Sequence, residues 1–317
     1  MFAHLRLLGV VSPVGVDGQF IVINFFPFFC CMGSRIPCSF PSSPKFKMAS
    51  QSLNGKVAVV TGSTQGLGLS IAKLFAEEQA AGLVICGRNN QNGDKAAAEL
   101  TEKGIPTHYV QADLTRVEDC RKVVRKADEA FGRVDVLVNS AAITDRGSIL
   151  NTSEDLFDRM FAINTRAPFF LIQEAANIMI REKIEGAIVN IQSMSAHGGQ
   201  PFIAAYCASK GALSVITKNS AFGLMKNKIR VNALNIGWMD TPAEDKIQRE
   251  FHNADPNWLK TAEEGQPFGR LLKTDEVARA VLFLASADSG MMTGSVVDFD
   301  QSVLGCYDSP PQPAQSL

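Results

Sequence analysis

Val57-Ala58-Val59-Val60-Thr61-Gly62-Ser63-Thr64-Gln65-Gly66-Leu67-Gly68 is a short apolar run that breaks into a glycine-rich turn and continues, over Leu67 to Glu78, with the spacing of an amphipathic helix. Glycines at 62, 66 and 68 let the backbone turn tightly and approach a pyrophosphate. The helix behind them offers unpaired N–H groups and a partial positive charge, so Gly62, Ser63, Gln65, Gly66, Leu67 and Gly68 are candidate phosphate contacts. The spacing is G-x-x-x-G-x-G rather than the common G-x-G-x-x-G, and a glycine turn alone is also compatible with no ligand.

Working outward, the same alternation of short apolar runs and longer amphipathic stretches repeats down the chain, which is the pattern of βα units and a parallel sheet. Strands are predicted at 57–61, 83–86, 107–111, 134–138, 187–191, 230–235 and 295–299. Helices are predicted at 67–78, 95–102, 117–131, 153–181, 204–225 and 275–285. No fixed-period repeat interrupts this region. The fold expected is α/β, a doubly wound Rossmann-type domain over 48–306 with a seven-stranded parallel sheet flanked by helices.

Residues 1–47 differ in kind, with one acid, Asp17, an apolar run from Ile21 to Met32 broken by Asn24 and Pro27, and a Ser/Pro-rich exit. The run is too short for a membrane span, which needs about 20 apolar residues. An organellar or secretory-type leader, an over-extended start ahead of Met48-Ala49-Ser50, and a disordered tail all remain open. Residues 307–317 read as a second disordered end.

Among 317 residues, 31 Lys and Arg balance 32 Asp and Glu for a net charge of -1. No single-sign field is available to draw the chain onto nucleic acid or an anionic bilayer, so a small-molecule partner is favoured. The seven cysteines show neither metal-knuckle nor disulfide spacing, so no metal is expected. A reducing compartment fits them: the cytoplasm, or an organelle if the N-terminal extension is a transit peptide.

Further polar residues fall at predicted strand ends. Asp113-Leu114 follows the third strand, where the carboxylate would reach an adenine amino group or serve as a helix N-cap region acid. Asn139 follows the fourth, either beside a ribose or as a turn residue. Tyr206 and Lys210 are four apart in a helical stretch and share one face, with Cβ atoms about 6 Å apart. A phenol titrates near pKa ~10, and an adjacent ammonium favours its ionised form, which makes the pair a proton-transfer unit. Ser193 ends the fifth strand, within reach of a substrate oxygen. Asn164, in the long preceding helix, is a polar anchor for a water or backbone network.

In this order and on these elements, the motifs resemble the short-chain dehydrogenase/reductase family over roughly Leu53 to Ser302. The resemblance implies hydride transfer between a nicotinamide dinucleotide and an alcohol/carbonyl pair. Tyr206 would be the acid/base, Lys210 would lower its pKa and bind the nicotinamide ribose, Ser193 would position the carbonyl, and Asn164 would complete a proton relay. Thr241, after Gly237-Trp238-Met239-Asp240, is cast as a contact to the nicotinamide amide or pyrophosphate. Gly237 and Met239 join it as cofactor contacts. The resemblance also implies a homodimer or homotetramer, to which Phe169, Phe170 and Phe222 on the two long helices would contribute. Departures from the family pattern are Ser140 and Ala142 after Asn139, Ile236 before Gly237, and Asp300-Gln301-Ser302 near the end. They put substrate specificity in doubt more than catalysis.

Cofactor and substrate preferences follow from local chemistry. After the second strand, Cys86-Gly87-Arg88-Asn89-Asn90 holds no acid to bind a ribose 2′-OH, and Arg88 matches a 2′-phosphate. NADP(H) is therefore preferred, with NAD(H) the alternative. Arg146, His197, Gln200 and Trp238 are candidate substrate contacts, and their polarity favours a sugar or polyol over a steroid or long acyl chain. In the family, 242–268 would be a mobile flap, although an ordinary surface excursion explains it equally. The rival functions are a catalytically silent dinucleotide sensor or scaffold and a sugar-nucleotide epimerase. The first needs only the glycine turn and Asp113; the second needs a larger C-terminal region.

Overall fold

The computed structural model describes residues 53–306. The expectations for 1–47 and 307–317 lie outside the described residues. Each of the seven apolar runs forms a strand: β1 (Val57–Val60), β2 (Gly82–Gly87), β3 (Thr107–Gln111), β4 (Val136–Asn139), β5 (Ala187–Ser193), β6 (Arg230–Ile236) and β7 (Val296–Phe299). All pair in parallel, in the order β3-β2-β1-β4-β5-β6-β7. Strand order reverses between β1 and β4, and open α/β sheets bind ligands at such a switch point, outside the carboxyl ends of the strands.

Helices α1 (Gly66–Glu77), α2 (Asn90–Glu102) and α3 (Val117–Phe131) cross over between the first strands; α4 (Glu154–Phe161) and α5 (Ala167–Arg181) link β4 to β5. They are followed by α6 (Ala204–Leu224), α7 (Pro242–His252), α8 (Trp258–Glu264) and α9 (Thr274–Ala285). Because side chains alternate along a strand, Ala58 and Val60 enter the core layer beneath α1 and α9, whereas Val57 and Val59 enter the layer beneath α3 and α5. Ile71 and Phe75, four apart on α1, are fully buried in the first layer. Each contributes about 1.5–3 kcal/mol by leaving water.

Two predicted elements differ. The single helix expected over 153–181 is interrupted by a π turn, Ala162–Arg166. Pro168 has no N–H to give the carbonyl of Asn164 four residues earlier, so the α ladder breaks at that point. The segment 242–268 holds two short helices, and α7 carries a legible start signal: Thr241 caps it by accepting from the Glu244 N–H at 3.1 Å, with Pro242 in the first turn. Phe169 and Phe222 stand exposed, whereas Phe170 is partly buried beneath Arg121. Among the described residues no helix is long and apolar enough to cross a membrane. No cluster of His, Cys, Asp or Glu among them could hold a metal ion.

Candidate active site

The loops after β1, β2, β3, β4 and β6, with the end of β5 and Tyr206 and Lys210 of α6, enclose a cleft of about 330 Å³. Gly62 and Gly68 form its packed floor: a β-carbon on Gly62 would lie 2.8 Å from the Ala141 Cα, and one on Gly68 would lie 2.3 Å from the Gly62 oxygen. Gly66 differs. It has a φ of +53°, an added β-carbon there would meet nothing within 4 Å, and it lines the cleft. Gln65 gives no side-chain cap to α1, so the orphan N–H groups of the first turn remain for a ligand. This is a cradle shaped for a pyrophosphate. A larger depression, about 720 Å³, lies around Thr165, Arg166, Phe169 and Ile216 and contains none of the motif residues.

Leu67, Arg88, Asp113, Leu114, Met239 and Thr241 all line the cleft, as do Tyr206 and Lys210. Four expected cofactor contacts need comment. Ser63 is buried, donates to the Val60 carbonyl at 2.5 Å and accepts from the Cys86 N–H at 3.1 Å, so it staples β1 to β2; Thr64 lines the cleft instead. Asn139 is likewise turned into the sheet, donating to Asn190 Oδ1 at 2.8 Å, and leaves Ser140, Ala141 and Ala142 to form the wall. Asp113 does what an N-terminal acid does, accepting from the Thr115 N–H and hydroxyl at 3.0 and 2.9 Å. Those bonds, with the Arg88 charge, hold its carboxyl below the usual range. Gly237 packs so tightly on Asp300 that a β-carbon would lie 1.7 Å from its Oδ1, and its role is to let the chain pass rather than to line the cleft.

Ser193 caps the end of β5, its hydroxyl accepting from the Ser195 N–H and donating to Ser195 Oγ, both at 3.1 Å. Burial pushes the Tyr206 phenol up to about 12, opposed by the Ser193 hydroxyl; of the charges acting on it, Glu244 raises it and Arg146 lowers it. Lys210 donates to the Ile191 carbonyl at 2.8 Å and lies 5.8 Å from the Tyr206 ring centre, with burial pulling its ammonium down to about 8. Desolvation is the largest cause of both shifts. An ammonium has three donors, and Lys210 spends one on protein.

Asn164 sits in the π turn, buried, and pairs with the backbone of Ile143 in both directions: Oδ1 accepts from its N–H and Nδ2 donates to its carbonyl, each at 3.0 Å. Nδ2 also reaches Ser209 Oγ on α6 at 3.1 Å. The side chain therefore fixes the loop after β4 against the helix that carries Tyr206. Asn164→Ala is expected to cost about 1–3 kcal/mol, since two part-buried backbone groups of Ile143 lose their partners. Urea unfolding measures it, and a cost below about 0.5 kcal/mol would remove the anchoring role.

A polar ladder that the sequence reading missed supports the same helix. Asn190 and Gln192 of β5 both donate to Thr217 Oγ1 of α6, at 2.9 and 3.1 Å, and Gln192 Oε1 accepts from Ser214 at 2.6 Å. Its signal was legible as polar residues inside a strand expected to be buried. Thr61, also unremarked, accepts from the Ser140 and Ala141 N–H groups at 3.0 and 3.2 Å and sets the turn after β4.

None of the four expected substrate contacts lines the cleft, and their partners differ. Arg146 is largely buried near Tyr206, donating to the Thr144 carbonyl at 2.8 Å and to His252 Nε2 at 3.0 Å. Trp238 donates to Glu244 Oε1 at 2.9 Å and stacks on Trp258. His197, however, is drawn across the sheet end to Asp298 Oδ1 at 2.9 Å and Asn235 Nδ2 at 3.1 Å and does not line the cleft. Gln200 accepts from Ser195 at 2.5 Å and reaches Ser193 only through that hydroxyl.

Comparison with known proteins places the chain among oxidoreductases that act on alcohol and carbonyl groups. It belongs to the short-chain dehydrogenase/reductase family, and residues 62–302 match a family model described as enoyl-(acyl carrier protein) reductase. Galactitol 2-dehydrogenase of Agrobacterium fabrum is 33% identical over 252 residues, 78% of this chain and 97% of the relative. A 3-oxoacyl-[acyl-carrier-protein] reductase, FabG of Thermotoga maritima, is 34% identical over 252 residues, with the same coverage of 78% and 97%. Among solved structures, L-sorbose reductase of Gluconobacter frateurii, complexed with NADPH and L-sorbose, has a TM-score of 0.76 at 29% identity, covering 81% of this chain and 99% of that one.

Proposed function

We propose that the protein transfers a hydride between NADP(H) and a small polyhydroxylated alcohol/carbonyl pair, a sugar or polyol, with Tyr206 as acid/base. The observation that carries this reading is that the Tyr206 phenol and the partly unsatisfied ammonium of Lys210 line one cleft, with the Ser193 hydroxyl acting on the phenol. The dinucleotide supplies or accepts the hydride when bound. The protein then has to hold the carbonyl oxygen and manage one proton. Ser193 and Tyr206 together hold the oxygen, and Tyr206, kept protonated at neutral pH by its burial, gives its proton to the alkoxide as that charge develops. The spare donors of Lys210 suit the ribose hydroxyls. Asn164 serves by positioning, because its side chain is committed to Ile143 and Ser209 and so holds the loop after β4 against the helix of Tyr206.

Galactitol and sorbose in the names of two relatives, and the polar groups near Tyr206, favour a hydroxylated substrate. The equally similar 3-oxoacyl reductase supports an acyl thioester as the second reading. Steady-state kinetics with reduced cofactor separate them. The kcat/KM for a ketohexose is expected to exceed that for a short 3-oxoacyl thioester by about tenfold or more, a difference of about 1.4 kcal/mol in transition-state binding. The reverse ranking would replace the first reading by the second.

A further inference from the structure

We propose that Glu244 is a specificity residue that accepts hydrogen bonds from substrate hydroxyls near the reacting carbon and, by its charge, disfavours substrates that carry a carboxylate there. The proposal rests on the hydroxylated-substrate reading and refines it.

Glu244 is the third residue of α7, three positions after the cap Thr241. A glutamate there would ordinarily fold back onto the N–H of the cap residue and close a capping box. It does not. Its Oε1 instead accepts from Trp238 Nε1 at 2.9 Å and Gln248 Nε2 at 2.7 Å, and the Arg146 guanidinium stands 3.7 Å away. The carboxylate is thus held by groups from three elements, directly after Thr241, Pro242 and Ala243, which line the cleft. It is close enough to Tyr206 to raise the phenol, as Arg146 is close enough to lower it.

Only one oxygen is used. Oε2 of Glu244 has no protein partner among the described residues, and neither has Arg146 Nη2 apart from this ion pair. Both side chains are more than four-fifths buried, at 17% and 16% exposure, so the two groups face little bulk water. An acceptor beside a donor matches a hydroxyl, which both donates and accepts, and matches a vicinal diol better still. A carboxylate can only accept, and Glu244 would repel it while the net charge of the pair, zero, offers it nothing at a distance. The half-exposed Trp238 ring, braced on Trp258, supplies a flat apolar face for the C–H side of a sugar. Thr241 ties this arrangement to the dinucleotide cleft, since it both caps α7 and lines that cleft.

The test compares kcat/KM for a neutral ketohexose and a keto-aldonate of the same carbon number in the parent, Glu244→Gln and Glu250→Gln. Glu250 lies on the same helix, exposed, and pairs only with Lys246. The parent is expected to prefer the neutral sugar by about tenfold, and Glu244→Gln to reduce that preference about tenfold, through KM more than kcat, while Glu250→Gln leaves it unchanged. Equal loss on both substrates in Glu244→Gln, an unchanged ratio, or a parent that prefers the anion would overturn the assignment while leaving a sugar reductase in place. A parent that reduces 3-oxoacyl thioesters and neither sugar would overturn the substrate reading, and this assignment with it.

Discussion

Tyr206→Phe is expected to lower turnover about 10³-fold while changing the affinity for NADPH by less than about twofold. The substitution removes one oxygen and keeps the ring, which packs with Met160, Ile203 and Ala205 beneath the cleft, so no cavity opens. In the proposed mechanism, what disappears is the proton for the alkoxide, together with one of the two hydroxyls that hold the carbonyl. Ser193 survives, still held by Ser195, and can donate one hydrogen bond but has no partner from which to replace its proton. The loss should therefore fall on kcat far more than on cofactor binding. Single-turnover kinetics with fluorescence titration of NADPH separates the two. A variant retaining more than about a tenth of parent turnover would mean that another group supplies the proton, and loss of NADPH binding would mean that the ring, not the proton, had been the essential part.

The sheet was legible because its central strands β1, β2 and β4 are short apolar runs buried almost throughout, and the Ser193, Tyr206 and Lys210 candidates because they follow one another on the fifth strand and the next helix. The direction of single side chains was not. Ser63 and Thr64 are adjacent, chemically alike and equally plausible beside a phosphate; the positive φ of Gly62, +63°, sets which of them turns inward. His197 looked close to the reacting centre in sequence, yet its partner Asp298 is 101 residues away on β7, a pairing that no local pattern encodes. Asn164 was read as a polar residue in a long helix, whereas it sits in a π turn ahead of Pro168 and its side chain clamps the backbone of Ile143. Glu244 passed unnoticed because an acid in the first turn of a helix is ordinarily explained by its cap. Only the turn of its carboxylate toward Trp238 and Arg146 distinguishes it.

Arg88→Asp is expected to shift the ratio of kcat/KM for NADPH over NADH by about 100-fold toward NADH, from a parent that favours NADPH by about tenfold. Arg88 follows β2 at the edge of the dinucleotide cleft. Its guanidinium has no ion pair or hydrogen bond among the described residues, although most arginines of the fold are paired. Its backbone is nonetheless fixed: Gln111 Nε2 donates to its carbonyl at 3.1 Å, and Tyr109 donates to the Gly87 carbonyl at 3.0 Å. A positive fork on a fixed backbone, with every donor free among the described residues, suits a 2′-phosphate. Losing such charge-assisted bonds costs about 1.5–3 kcal/mol, roughly 10- to 150-fold. The introduced carboxylate would add repulsion of the phosphate and an acceptor for the 2′-OH of NADH. Ser63 cannot share the task, because its hydroxyl is spent between β1 and β2, and Thr64 supplies no charge. The parent preference should accordingly be moderate and should weaken with salt, as a single exposed cation at the rim demands. A parent that favours NADH, or a ratio that Arg88→Asp leaves unmoved, would mean that the guanidinium is a solvated side chain and that cofactor choice lies elsewhere in the cleft.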